Sequence, residues 1–262
     1  MYIELDDFRQ IYTVSVNEIR KFIRGKRLLA YLIVVALVFA LLTILPYTVG
    51  SNISDFYNEF NIMLPMGILS AYLSFMDTLI IIGATLFASS VIVSEFEDRT
   101  ALVLFTRPIK KTSIFIGKTI GCLLLQTAVV VLFYLGVAFI LLLTDGSVPM
   151  VFFTSMGISF MYIVATTGVA LILSSLLKRS GITAVLTFFM LIMIIPIISV
   201  VFLISGSDPW FILNWSALSI IPPFVGGVYL PIENVARACW VLAVWGLVPA
   251  VAAWLAFIKR EF

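Results

Sequence analysis

The chain has 262 residues, of which 62% are hydrophobic and only 11% charged, with a net charge of +2 and no histidine. Without histidine it lacks the commonest general base, proton shuttle and transition-metal ligand, and it carries no G-x-S-x-G nucleophile elbow. Its two cysteines, Cys122 and Cys239, stand apart in apolar stretches with no CxxC or Cys/His cluster, as expected of buried packing residues rather than ligands.

Residues 1–27 precede the first long apolar run and read as a separate unit. Leu5, Phe8, Tyr12, Ile19 and Ile23, with Val16 completing the stripe, recur at intervals of three and four, while Asp6, Asp7, Arg9, Asn17, Glu18 and Arg20 take other faces. This is the pattern of an amphipathic helix. Its apolar stripe is expected in the inner membrane interface, and its basic end (Arg20, Lys21, Arg24, Lys26, Arg27) at anionic headgroups. Acidic residues precede the basic ones and the next apolar run is too long for an h-region, so a signal peptide is not the reading.

Two runs long enough to cross a bilayer come next, Leu28 to Gly50 and Leu69 to Ser94; about 20 apolar residues cover a hydrocarbon core of about 30 Å. The second contains Asp77, eighteen residues before Glu95. At 1.5 Å per residue that is about 27 Å, which places the carboxylate near the outer boundary and makes it a solvated interfacial group before an ion site.

Between the second and third runs lies S-E-F-E-D-R-T-A-L-V-L-F-T-R-P-I-K-K-T-S-I-F-I-G-K, residues 94–118, which holds eight of the chain's sixteen basic and fourteen acidic residues. Glu95, Glu97 and Asp98 open it, Thr100 to Phe105 make a short apolar turn, and Pro108 stops it. Acidic residues at a start and a proline at an end punctuate a short helix. Ala101, Leu102, Val103, Leu104 and Phe105 are too few to span and too apolar to leave bare in water. They suit either a groove in another protein or the chain's own helices. The three carboxylates read as caps and ion-pair partners before a metal site. Gly117-Lys118-Thr119 resembles the tail of a phosphate loop, but the glycine required at position 112 is threonine, leaving Lys118 as a side chain snorkelling at the inner interface.

Three more spans are expected at Thr119 to Leu143, Val148 to Leu177 and Ile182 to Gly206. The segment 207–235 is too hydrophobic for a solvated loop and too broken, by Pro209, Pro222, Pro223, Gly226, Gly227 and Pro231, for a span. Such backbone sits at membrane depth only where protein or a water-filled cavity covers it. Ala236 to Ile258 is the sixth span. Residues 28–262 thus form a six-span all-α transmembrane domain, with no alternating pattern of a membrane barrel. Six spans with both termini cytoplasmic place fifteen of sixteen basic residues inside, Arg237 excepted, with Asp55, Glu59, Asp145, Asp208 and Glu233 outside.

The layout of interfacial helix and six spans, together with the residues of 94–118, resembles the permease subunits of ABC-2 type ATP-binding cassette transporters. The resemblance in layout covers essentially the whole chain; at the level of motif it rests on 94–118. It implies that Glu95, Glu97, Asp98, Arg99, Thr100, Ala101, Leu102 and Phe105 form a coupling helix seated in an ATPase subunit, closed by Pro108. It also implies short re-entrant helices in 207–235, with Ile212 to Ile221 as one of them, which makes Trp215, Pro222 and Pro223 candidates for an outer gate. Trp210 and Trp215 have a simpler reading as interfacial aromatics.

The resemblance further implies a non-catalytic permease, an exporter in the cell membrane, paired with a second permease chain of the same or a related kind. Two copies of an ABC ATPase subunit, which bind the ATP and Mg, dock to it. No cofactor is expected in this chain, and no nucleic-acid partner. The competing reading is a secondary carrier or membrane scaffold that binds a different cytosolic partner through the same loop. A carrier would be expected to bury an ionisable group and to show an internal repeat, and neither is evident.

Overall fold

A computed structural model describes residues 5–48, 67–97, 110–144, 146–225 and 228–259. Six helical segments are long and apolar enough to cross a membrane: Lys26–Leu45, Ile68–Glu95, Lys111–Thr144, Met150–Leu176, Ser180–Ile204 and Val235–Lys259. They are numbered spans 1 to 6, and all six coincide with the runs expected from sequence. The chain is an all-α integral membrane protein.

Helix α1 (Leu5–Arg24) comes first, then α2 (Lys26–Thr48), which carries span 1. Span 2 is broken into α3 (Ile68–Leu73), α4 (Met76–Leu86), α5 (Ala88–Val91) and α6 (Val93–Glu97). Span 3 is the single helix α7 (Lys111–Thr144) and span 4 is α8 (Met150–Leu176). Span 5 consists of α9 (Ser180–Phe189), a π-helical turn (Met190–Ile194) and α10 (Ile195–Ile204), with Pro196 near the start of the last. Span 6 is α12 (Val235–Lys259), preceded by the short α11 (Leu213–Ala217), a 3₁₀ turn (Leu218–Ile220) and an antiparallel pair, β1 (Phe224–Val225) with β2 (Val228–Tyr229).

Span 2 is the centre of the bundle. It is 72% buried within the chain, against 17%, 22% and 28% for spans 1, 5 and 6, so it is clad by protein where the others are left for lipid. Side chains of neighbouring spans bond to its backbone, twice within α4 and once at a break. The Tyr31 hydroxyl donates to the Leu79 carbonyl at 3.1 Å and the Gln126 amide to the Ile80 carbonyl at 2.7 Å. Gly83 admits both, since a Cβ there would stand 2.9 Å from the Tyr31 hydroxyl and 3.0 Å from Gln126 Nε2. At the break before α6, the Ser174 hydroxyl accepts from the N–H groups of Ile92 (3.1 Å) and Val93 (3.2 Å). Broken spans persist in a membrane only when freed backbone groups are satisfied in this way.

Spans 4 and 6 pack directly on one another at Gly168 and Gly246, where a Cβ on Gly168 would collide with the Gly246 carbonyl. Small residues let helix backbones approach where there is little hydrophobic force to drive association. At the far end from α1, the segment expected to be re-entrant lies across spans 2 and 4. Ile212 to Ile221 is helical only over α11 and the 3₁₀ turn, with Leu213, Ser216, Ala217 and Ile220 buried. The Ser70 hydroxyl donates to the Pro222 carbonyl (2.8 Å), the Leu69 N–H to the Tyr229 hydroxyl (2.9 Å), and Ser155 to the Ile220 carbonyl.

One boundary differs from the sequence reading. Residues 111–118, expected in the charged loop, are the first two turns of α7. At 34 residues this helix is about 51 Å long, well beyond a hydrocarbon core of about 30 Å. Its overhang carries α1.

Candidate functional site

The charged loop begins at the end of span 2 and ends at the start of span 3, and α1 reaches both places. One face of α1, made by Asp7, Ser15, Glu18 and Phe22, is buried. It lies on a flat strip of α7 formed by Gly117 and Gly121, four residues apart. A Cβ on Gly117 would meet Val14 Cβ at 2.8 Å, and one on Gly121 would meet Glu18 Cβ at 3.1 Å. The Ser15 hydroxyl donates to the Gly117 carbonyl at 2.8 Å.

Four charges close the joint. The Lys118 ammonium donates to Glu18 Oε2 at 2.8 Å and to Glu95 Oε1 at 2.7 Å, and the side chains of Lys118 and Glu18 are each only 6% exposed. Lys21 lies 3.3 Å from Glu95 Oε1, 3.9 Å from Glu18 Oε1 and 3.4 Å from the Ser94 hydroxyl. Among the described residues, two carboxylates and two ammonium groups meet here, and the buried Lys118 and Glu18 are paired as desolvated charges require. They tie α1, the end of span 2 and the start of span 3 together. Arg27, at the start of span 1, donates to the Ser90 hydroxyl and adds a fourth element. Lys118 is thus a buried pairing group, not a side chain snorkelling outward. Space between α1 and α7, made by the two glycines, lets it turn inward.

The two feet of the loop are held separately. At its start, Glu95 joins the buried network, while Glu97 is exposed and accepts from the Ser180 N–H at 2.9 Å, at the beginning of α9. Hydrogen bonds from Ser180 hold the Glu97 carboxyl below its usual range, with a smaller contribution from the charge of Arg179. At its end, Lys110 donates to Asp7 Oδ2 at 2.8 Å. The carboxylates Glu95 and Glu97 are therefore occupied by different partners. Asp98, Arg99, Thr100, Ala101, Leu102, Phe105 and Pro108, named from sequence for docking, lie outside the described residues.

The stripe expected at the membrane interface is partly open. Phe8, Tyr12 and Ile23 are exposed at 62%, 71% and 59%, and Ile19 packs half-buried on the core. Of Leu5 only the backbone, at the first residue of α1, is described. The exposed stripe and the face seated on α7 are neighbouring sides of the helix, and Arg9, Arg20 and Arg24 fall on the remaining side. At the far end, Trp215 is half-buried and Pro222 buried, while Pro223 is exposed. Trp215 shares a small cleft with Trp210, Glu233 and Arg237, and the Arg237 guanidinium stands 6.0 Å from the Trp210 ring.

Sequence reasoning missed Asp7, Glu18 and Lys118 as partners because it sorted α1 into apolar and polar faces and gave the charges to water or to lipid headgroups. The usable signal was the four-residue spacing of Gly117 and Gly121 around Lys118, a surface built for a close helix neighbour. A family model described as an ABC-2 family transporter protein matches residues 12–261. No curated protein matches the chain.

Proposed function

The chain belongs to the ABC-2 family of transporter proteins and is a multi-pass permease component that partners an ABC ATPase subunit, and from that premise we propose how it is driven. The ATPase seats the segment 95–108, with Glu95, Glu97, Asp98, Arg99, Thr100, Ala101, Leu102, Phe105 and Pro108 as its docking residues. ATP and Mg are bound in that partner. Two permease chains, identical or related, enclose a central path in the cell membrane with both termini in the cytoplasm, two ATPase subunits dock beneath, and cargo moves outward. α1 rests its stripe of Leu5, Phe8, Tyr12, Ile19 and Ile23 in the inner interface. The outer segment, with Trp215, Pro222 and Pro223, gates the path.

The observation that carries this reading is the joint around Lys118. A push on the loop reaches span 2 through Glu95 and span 3 through Lys110 and Lys118, and Glu18 and Asp7 bind both feet to α1. On this reading, displacing the loop displaces the enclosed central span. Coupling further requires that the ATPase prefer one arrangement of this joint in one nucleotide state, because a partner that binds both arrangements equally shifts nothing.

The test is to tag the chain in its host, extract it in mild detergent, and assay the eluate for an ATP-hydrolysing polypeptide. Co-purification that Leu102→Asp abolishes, and transport lost in Glu97→Lys with the protein still inserted, are the expected results. An intact, well-folded preparation with no ATPase, or full transport in both variants, overturns the coupling role.

A further inference from the structure

Span 2 leaves one stripe uncovered. From Ile68 to Ser94 every residue is buried except Ser74, Phe75, Asp77, Thr78, Ile82, Thr85 and Leu86, and the spacing of 74, 78, 82 and 85 places them on one helical face. Four of the seven are polar. The open faces of the other spans are built differently, with Leu37 and Leu41 on span 1, Leu135 and Phe139 on span 3, and Val185 and Phe189 on span 5. The Ser74 and Thr85 hydroxyls donate back to the Ala71 and Ile81 carbonyls of their own helix, but lipid tails offer nothing to a carboxylate, so the stripe around Asp77 faces a polar space or a cargo rather than the bilayer.

Asp77 is the one charge on it. Its Oδ1 accepts from the Thr78 N–H at 2.6 Å and the Thr78 hydroxyl at 3.3 Å. No Lys or Arg forms an ion pair with it among the described residues. In sequence, the connections between spans at that end of the bundle, residues 49–67, 145–149 and 205–234, hold no basic residue at all, and Arg237 stands by Trp210. Ionisable groups within membrane spans ordinarily pair with one another or with a ligand. Among the described residues no cation is offered to Asp77.

We propose that Asp77, with the Ser74 and Thr78 hydroxyls beside it, recognises the ammonium group of an amphiphilic cargo, whose apolar body lies along Phe75, Ile82 and Leu86. The site combines one carboxylate and hydroxyl acceptors with apolar neighbours, which fits an organic ammonium better than a metal cation needing several oxygen ligands. The inference rests on the permease reading and supplies its cargo class.

The test uses the full chain in nanodiscs of uncharged-headgroup lipid, with a fluorescent long-chain primary amine and the alcohol of the same chain length as probes. The amine is expected to bind about tenfold more tightly, a difference of about 1.4 kcal/mol. Asp77→Asn brings the two probes to parity, and Asp77→Glu, which keeps the charge, retains the preference and controls for folding. Equal binding of both probes by the native chain, a preference that survives Asp77→Asn, or displacement of the amine by sodium at equal concentration overturns the assignment. ATPase co-purification is scored separately in the same preparations. An ATPase present but stimulated equally by amine and alcohol removes the charge selection and leaves the permease standing, whereas absence of any ATPase removes the permease reading itself.

Discussion

Lys118 is the residue on which the joint depends. With its ammonium removed, Glu18 and Glu95 would lose their shared buried partner, and Lys21, which remains beside both, is half-exposed. Breaking a buried pair by removing one partner typically costs about 3–5 kcal/mol, more than the pair itself contributes over an apolar replacement. Lys118→Met is therefore expected to lower the thermal unfolding midpoint sharply in detergent, whereas Lys118→Met combined with Glu18→Gln recovers part of the loss. A single variant as stable as the native chain would show that the network is structurally idle. By contrast, the Lys21 contacts with Glu95 and Glu18 are partly solvated, and Lys21→Ala is expected to change the midpoint little.

At the scale of elements, the informative feature is a central span broken where no proline or glycine dictates it. The break between α5 and α6 falls at Ile92, in the run Val91-Ile92-Val93, and Ser174 of α8 supplies what the helix lacks. Ser174→Ala leaves the N–H groups of Ile92 and Val93 without that acceptor, at about 1–3 kcal/mol for a buried unsatisfied group. The expected outcome is a lower unfolding midpoint that Ser174→Thr, which keeps the hydroxyl, largely restores. If Ala and Thr are equally harmless, the hydroxyl is not what holds the break. Existence and order of the six spans are legible in the sequence because runs such as Leu28 to Gly50 are long and nearly uncharged. Breaks inside Leu69 to Ser94 are not, because hydropathy is blind to a hydrogen bond from another helix. The extension of α7 through Lys111 to Lys118 is hidden for a related reason: charged residues look like loop until the partner that neutralises them, here α1, is in place.

For the whole molecule, the distribution of Lys and Arg makes a prediction that packing alone does not. Six spans put fifteen of the sixteen basic residues on one side, and the positive-inside rule predicts that side to be cytoplasmic. In a chain whose own cysteines have been replaced, Asp208→Cys should react with a membrane-impermeant thiol reagent in intact cells. Lys178→Cys should react only after permeabilisation, and the reverse pattern would invert the topology and with it the assignment of the outer gate. The distance of Asp77 from Glu95 suggests a group at the outer boundary, and the nine residues of span 2 that lie beyond it are bonded at Leu69 and Ser70 to Tyr229 and Pro222. The length of α7 has a mechanical consequence. A rod of about 51 Å pivoted at its distant end turns a tilt of about 10° into about 9 Å of travel at the other. In the transport cycle proposed above, α1, packed on that travelling end, would sweep through the headgroup layer as the rod tilts, and the resistance of that layer, set by its composition, would be a load on the motor.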